Sequence, residues 1–437
     1  MLAMITISAM CLTSCGPKDD GTAVTSAPEG DPTTEAVSTP PATTEKSQTP
    51  PTPWEAKTYR LTSNTDGVKI LGVRHLAVDG MLTCDWTGSG LEMDVIHEGG
   101  DIVFHASATD NCYFRVYVDG EEWKNGETVY FTIGTMRSSI ALANVPAGEH
   151  RIRLVKVTGY TLARAQIHDV VFCGTIKPQA PADNDLYIEF VGDSISCGWG
   201  NIGGHTGVYT DQDGTLAYPL MLAEALQADY SVTALSGKGL IYGNPEMTSG
   251  YRYGSILRSK AAEYSFSRQA DMVVINIGTN DYSKRTSNDI SEAAFKASYL
   301  AFLKTVAEKN GNDCKIFCLY NTMNDTFANA IIAAVAEFGG TAKNVYLVKM
   351  QRTVSGHPTL AEHETYFNAL LPILKLEKLP EDPKDVPVIP DDTTPNTPPS
   401  DPPVVDPLPP VENPTGKLEL TEGEGESVGY DSSEWSQ

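Results

Sequence analysis

The chain has 437 residues, enough for two or three domains, and 41% of them are hydrophobic, enough to build ordinary cores. Its formal charge of −24 is unevenly spread: residues 380–437 carry 14 acidic and two basic side chains (net −12), residues 16–53 carry six and two (net −4), and the remainder about −8. That distribution argues against nucleic acid as a partner and implies little else.

Residues 1–15 form an apolar run too short to span a bilayer, ending in small residues before a cysteine, and are expected to be a signal peptide. Leu12-Thr13-Ser14-Cys15 resembles the lipobox of bacterial lipoproteins, although the basic residues that usually precede the apolar run are missing. The resemblance implies lipidation at Cys15 and a secreted protein whose membrane contact is that anchor at the bacterial cell surface. Residues 16–53 are rich in Thr, Pro, Ser and Ala with hardly a large apolar side chain, and are expected to be a disordered tether.

Residues 54–178 read as strand after strand. Leu91, Met93 and Val95 alternate with Glu92 and Asp94, and Cys112, Phe114, Val116 and Val118 alternate with Tyr113, Arg115 and Tyr117 before Asp119-Gly120 turns the chain. Further β-rich runs fall at residues 128–133, 139–143, 151–157 and 169–173. Short strands, Gly and Asp turns and almost no helical period predict an all-β sandwich. Trp86, Trp123 and Tyr117 are either core residues or platforms for sugar rings.

From residue 183 to about 378 the period changes. Strands are expected at 186–191, 231–235, 272–277, 315–320 and 344–348, and helices at 218–226, 252–262, 290–309, 326–338 and 359–374. Alternating β and α with largely apolar strands predicts a parallel sheet covered by helices on both faces. Beyond it, residues 379–437 are Pro-rich and acidic, an expected disordered tail. Setting aside Cys15, the six cysteines from Cys84 onward show no CxxC or His-rich pattern, so no metal site is expected and the thiols read as buried and free. Cys314 and Cys318 on one strand would stand about 13 Å apart, too far to pair.

In an open α/β sheet the chemistry lies at the carboxyl ends of the strands, and four short motifs fall there. The first is Gly192-Asp193-Ser194, where a glycine allows a tight turn and the serine is placed as a nucleophile. The second is Ser236-Gly237-Lys238-Gly239, the third Gly278-Thr279-Asn280-Asp281, and the fourth Ser355-Gly356-His357-Pro358. A backbone N–H at Gly237, the Asn280 side-chain amide and the Ser194 N–H make three donors for an oxyanion. Of three histidines in this region, His205 lies in a glycine-rich loop near Ser194, His363 inside the last helix, and His357 just before that helix with Pro358 as its first residue. His357 is therefore the candidate base. Trp199, His205, Tyr209 and Tyr242 lie in loops around the nucleophile and are candidate substrate-binding residues.

The four blocks in the order Ser, Gly, Asn, His resemble those of the SGNH (GDSL-type) hydrolases. The resemblance implies Ser194 as nucleophile, Gly237 and Asn280 completing the oxyanion hole with the Ser194 N–H, and His357 as base; Gly239 lies close enough to compete with Gly237. A β-sandwich followed by this domain is similar to carbohydrate esterase family 2, which implies a jelly roll joined to an acetylesterase acting on plant polysaccharides of the xylan or glucomannan type. The likeness covers about residues 54–376. It departs from the general pattern at Val354, three residues before His357, where an acid usually stands. Family members can work with a Ser-His dyad, the imidazole held by a main-chain carbonyl, and that is the expectation here. No cofactor is required, and a monomer is expected. Two alternatives stay open: a weakened or inactive surface glycan-binding lipoprotein, and an SGNH lipase or thioesterase.

Overall fold

The computed structural model describes residues 55–74, 80–204, 207–243, 247–255, 263–354 and 356–377. The signal peptide with Cys15, the tether at 16–53, His205 and the tail at 379–437 lie outside these residues.

The alternating segments of the first half pair into two antiparallel sheets. In one, Lys57–Arg60, Ala165–Phe172, Gly100–Ala108 and Ser138–Val145 lie side by side, with Leu82–Cys84 also on Ala165–Phe172. In the other the order is Gly174–Ile176, Gly90–His97, Gly148–Lys156, Cys112–Val118 and Glu121–Glu122, with Val68–Leu71 and Phe131–Ile133 added at its sides. Leu91, Met93 and Val95 face inward, as do Phe114, Val116, Ile102 and Phe104, so one apolar cluster fills the space between the sheets. The turn after Cys112–Val118 is made by Asp119 and Gly120, both at positive φ (55° and 86°), as a tight hairpin with right-handed strand twist requires.

The second half is a parallel sheet in the order Asp229–Ala234, Tyr187–Gly192, Met272–Asn276, Lys315–Tyr320, Val345–Lys349. The first four strands of this set by sequence are almost wholly buried, because helices cover both faces. Glu292–Asn310 and Ala328–Phe338 pack on one face and Tyr218–Ala225 and Leu360–Leu374 on the other. The chain runs outward in opposite directions on either side of Tyr187–Gly192, so a crevice opens at the carboxyl ends of that strand and Met272–Asn276, where α/β sheets bind their ligands. The region expected as helix at 252–262 differs: the helix is Met247–Arg252, residues 253–255 are not helical, and 256–262 lie outside the described residues.

The sandwich and the α/β region belong to one compact unit. Trp86 is buried, packs on Tyr160 with ring centroids 4.4 Å apart, and donates its indole N–H to the Gly254 carbonyl at 2.6 Å, so it is core and not a sugar platform. Trp123 is half-buried against the sandwich core, and Tyr117 is half-buried beside the Arg115 and Arg153 guanidinium groups. Cys112, Cys197, Cys314 and Cys318 are buried free thiols.

Candidate active site

Strand Tyr187–Gly192 ends where a side chain has no room: a Cβ on Gly192 would collide with the Ser196 hydroxyl. The chain then turns into the short helix Ser194–Cys197, capped by Asp193, whose Oδ1 accepts the Ile195 N–H at 3.0 Å. Ser194 thus stands at the first helical position, where backbone N–H groups have no partner within the helix. Its side chain is almost buried, at 3% exposure. The Ser194 Oγ lies 2.8 Å from Nε2 of His357, although the two residues are 163 positions apart in sequence. That distance allows direct proton transfer from hydroxyl to imidazole once Nε2 is the unprotonated nitrogen.

His357 reaches this position from the loop before helix Leu360–Leu374. Thr353, at the start of that loop, donates its N–H to the Thr322 carbonyl at 2.8 Å and its hydroxyl to the Gly356 carbonyl. Val354, where an acid would stand, is 93% exposed. The Trp199 ring lies 6.4 Å from the His357 ring, centroid to centroid, and a Cβ on Gly207 would come within 3.2 Å of the Trp199 ring, so Trp199 forms one wall beside His357.

The second and third loops are joined to each other and to the first. The Asn280 amide donates to the Lys238 carbonyl at 2.9 Å and, at a longer 3.3 Å, to Asp193 Oδ2. Asp281, fully buried, accepts three consecutive backbone N–H groups from Leu240, Ile241 and Tyr242 at 2.7, 2.8 and 2.9 Å. Gly239 packs directly on that carboxylate, so a Cβ there would collide with it, whereas a Cβ on Gly237 would meet nothing within 4 Å. This separates the two glycines: Gly239 serves close packing, and Gly237, at φ 73°, faces open space. Burial of the Asp193 carboxyl, with the Asp281 charge adding to the effect, pushes its pKa up to about 7.

Not every candidate joins the cluster. Tyr209 packs edge-on against Tyr113 of the sandwich at 4.9 Å, and Tyr113 in turn stacks on Tyr130 at 4.7 Å. Tyr242 is half-buried against the α/β core, and His205 lies outside the described residues. His363 is fully buried beside Tyr218, and burial pushes its pKa down to about 4, so it stays neutral. The sequence motifs assign no role to Asp281 or Glu362. The first follows directly on Asn280, and the second completes a Thr-x-x-Glu capping signature at Thr359 that is legible in the chain. Among the described residues no group of three or more His, Cys, Asp or Glu could hold a metal ion.

Comparison with known proteins adds relatives to this geometry. Residues 190–369 match the GDSL-like Lipase/Acylhydrolase family. The chain is 25% identical over 313 residues to the cellulase/esterase CelE of Acetivibrio thermocellus, an alignment covering 67% of this chain but 37% of that protein. It is 25% identical over 254 residues to an acetylxylan esterase / glucomannan deacetylase of Cellvibrio japonicus, covering 53% of this chain and 70% of that one. A family two carbohydrate esterase from Clostridium thermocellum, solved in complex with cellohexaose, superposes with a TM-score of 0.62 at 24% identity, over 71% of this chain and 99% of that one.

Proposed function

We propose, from the premise that this chain belongs to the GDSL/SGNH hydrolases and to their carbohydrate esterase family 2, that it is a carbohydrate O-acetylesterase removing acetyl groups from polysaccharides of the xylan or glucomannan type. The observation that carries the reading is the 2.8 Å contact between Ser194 Oγ and His357 Nε2 at the carboxyl end of the parallel sheet. The relatives' names support the acetyl ester, and the cellohexaose bound by one of them supports a β-linked glycan.

In this reading Ser194 attacks the acetyl carbonyl as His357 takes its proton, and the tetrahedral oxyanion forms beside the N–H groups of Ser194 and Gly237 and the Asn280 amide. The amide's longer bond, to Asp193, is the one the oxyanion replaces, while the Lys238 contact keeps the second and third loops together. His357 then passes its proton to the departing sugar oxygen, and a water molecule, activated by the same imidazole, releases acetate. Trp199 forms the glycan side of the cleft. Lipidation at Cys15 would hold the enzyme at the bacterial cell surface, with residues 16–53 as its tether.

Acetate release from acetylated xylan and glucomannan tests this directly. Wild type is expected to release acetate, and Ser194→Ala and His357→Ala to lose at least about 10³-fold in rate. Equal rates in all three would overturn the reading, and a preference for long acyl chains over acetyl would favour a lipase.

A further inference from the structure

The loop that carries His357 is held at both ends by one side chain. Glu362, in the first turn of helix Leu360–Leu374, accepts the Val354 N–H at Oε1 (2.9 Å). At Oε2 it accepts the Thr359 N–H (2.9 Å) and the Thr359 hydroxyl (3.0 Å). Val354 lies three residues before His357 and Thr359 two after it, so a single carboxylate closes the loop around the histidine. The Oε2 contacts belong to an ordinary capping box. The Oε1 contact does not: it reaches beyond the helix and fixes backbone on the far side of His357. Partial burial works against the ionised carboxyl, but the N–H groups of Thr359 and Val354 outweigh it and hold Glu362 below the usual carboxylate range.

We propose that Glu362 is a positioning residue for catalysis, fixing the His357 loop through the backbone N–H groups of Val354 and Thr359, where position 354 carries no acid. The inference rests on the reading of His357 as base. Glu362 acts through the backbone of the loop: its effect is to keep Nε2 within reach of Ser194, and a misplacement of about 1 Å at such a contact costs roughly 10² in rate.

The full chain is compared as wild type, Glu362→Ala, Glu362→Gln, Thr359→Ala and Ser194→Ala, measuring kcat and KM on a small acetyl ester together with thermal melts. Thr359→Ala removes the hydroxyl that accepts the Glu362 N–H and donates to Oε2, and so weakens the helix cap, while leaving the carboxylate on the backbone N–H groups of Val354 and residue 359. Glu362→Ala is expected to lower kcat roughly 10- to 100-fold at nearly constant KM. Glu362→Gln, with one carbonyl acceptor left, is expected to fall between, and Thr359→Ala to lower Tm with kcat nearly unchanged. If Glu362→Ala keeps the wild-type kcat, or if kcat falls in step with Tm in both Glu362→Ala and Thr359→Ala, the carboxylate is only a helix cap and the proposal is overturned. Should Glu362→Ala fail to fold, Glu362→Gln carries the same comparison. Full activity in Ser194→Ala would instead overturn the Ser-His reading itself, an outcome distinct from wild-type kcat in the Glu362 variants alongside a dead Ser194→Ala.

Discussion

Gly237 and Gly239 show what a single atom decides at the residue scale. A Cβ on Gly239 would collide with the buried Asp281 carboxylate, while one on Gly237 would meet nothing within 4 Å. Gly239→Ala is therefore expected to lower Tm well below Gly237→Ala, whose cost is limited to the strain of a positive φ, about 1–2 kcal/mol; thermal melts of the two variants check this. Asp193 supplies a second prediction. Burial raises its folded-state pKa from 3.8 to about 7, so its neutral form is the one the fold favours. Its contribution to stability is full below the unfolded pKa and is lost as pH rises through the folded one. Between about pH 4 and pH 7 the wild type should lose up to about 1.4 kcal/mol per pH unit relative to Asp193→Asn. Unfolding titrations of both proteins across that range would show parallel curves if the carboxyl does not behave this way. Ser194, His357 and Asn280 could be singled out in the sequence because each stands in a short motif beyond a strand, and the structure brings the first two to 2.8 Å. The choice between Gly237 and Gly239 was not legible, since it turns on where the Asp281 carboxylate, 42 residues beyond Gly239, comes to rest.

Among the elements, those with uniform apolar content were the easiest to read. Lys315–Tyr320 is observed with the bounds its sequence implies, and the helix expected at 359–374 begins one residue later because Thr359 is its cap. Gly100–Ala108 is a nine-residue strand that the sequence reading passed over: Val103 interrupts the alternation of Ile102, Phe104 and Ala106 with polar residues, and the pairing with Ala165–Phe172 that defines it is long-range. The same limit hid the ties between loops, which have no periodicity. Asp281 is the strongest of them, since its carboxylate holds the loop that carries Gly237 by three N–H groups. Asp281→Ala would leave those donors without their acceptor at roughly 1–3 kcal/mol for each that stays buried. It should therefore lower Tm and, on the proposed mechanism, kcat as well, because the loop whose Lys238 carbonyl accepts the Asn280 amide loses its anchor. A fall in Tm with kcat intact would mean the loop keeps its shape without the carboxylate.

For the molecule as a whole, sandwich and α/β region are tied by buried side chains that cross from one to the other, and Arg74 is one such link. This residue follows the sandwich strand Val68–Leu71 yet ends among α/β side chains, where its guanidinium bonds Glu189 Oε1 from Nη2 at 2.8 Å and from Nε at 3.1 Å. It also lies over the rings of Tyr251 and Phe266, at 4.3 and 4.5 Å from their centroids, and both charged side chains are fully buried. Glu189 in turn accepts the hydroxyls of Tyr187 and Tyr251 at 3.0 and 2.9 Å, so the pair is embedded in the strand that leads to Ser194. Removing one partner of such a pair leaves the other charge buried without its counter-ion, at roughly 3–5 kcal/mol, more than an exposed ion pair contributes. Arg74→Ala should therefore lower the Tm of the α/β region although the substitution lies in the sandwich. Trp86 and Tyr160 place sandwich side chains inside the α/β core, while the sandwich keeps a cluster of its own; tied in this way, both regions are expected to melt in one transition, and the proposed esterase activity to be lost in that same transition. Two separate transitions in calorimetry, with activity following only the second and Arg74→Ala shifting only the first, would show that the sandwich and the catalytic region are stabilised independently.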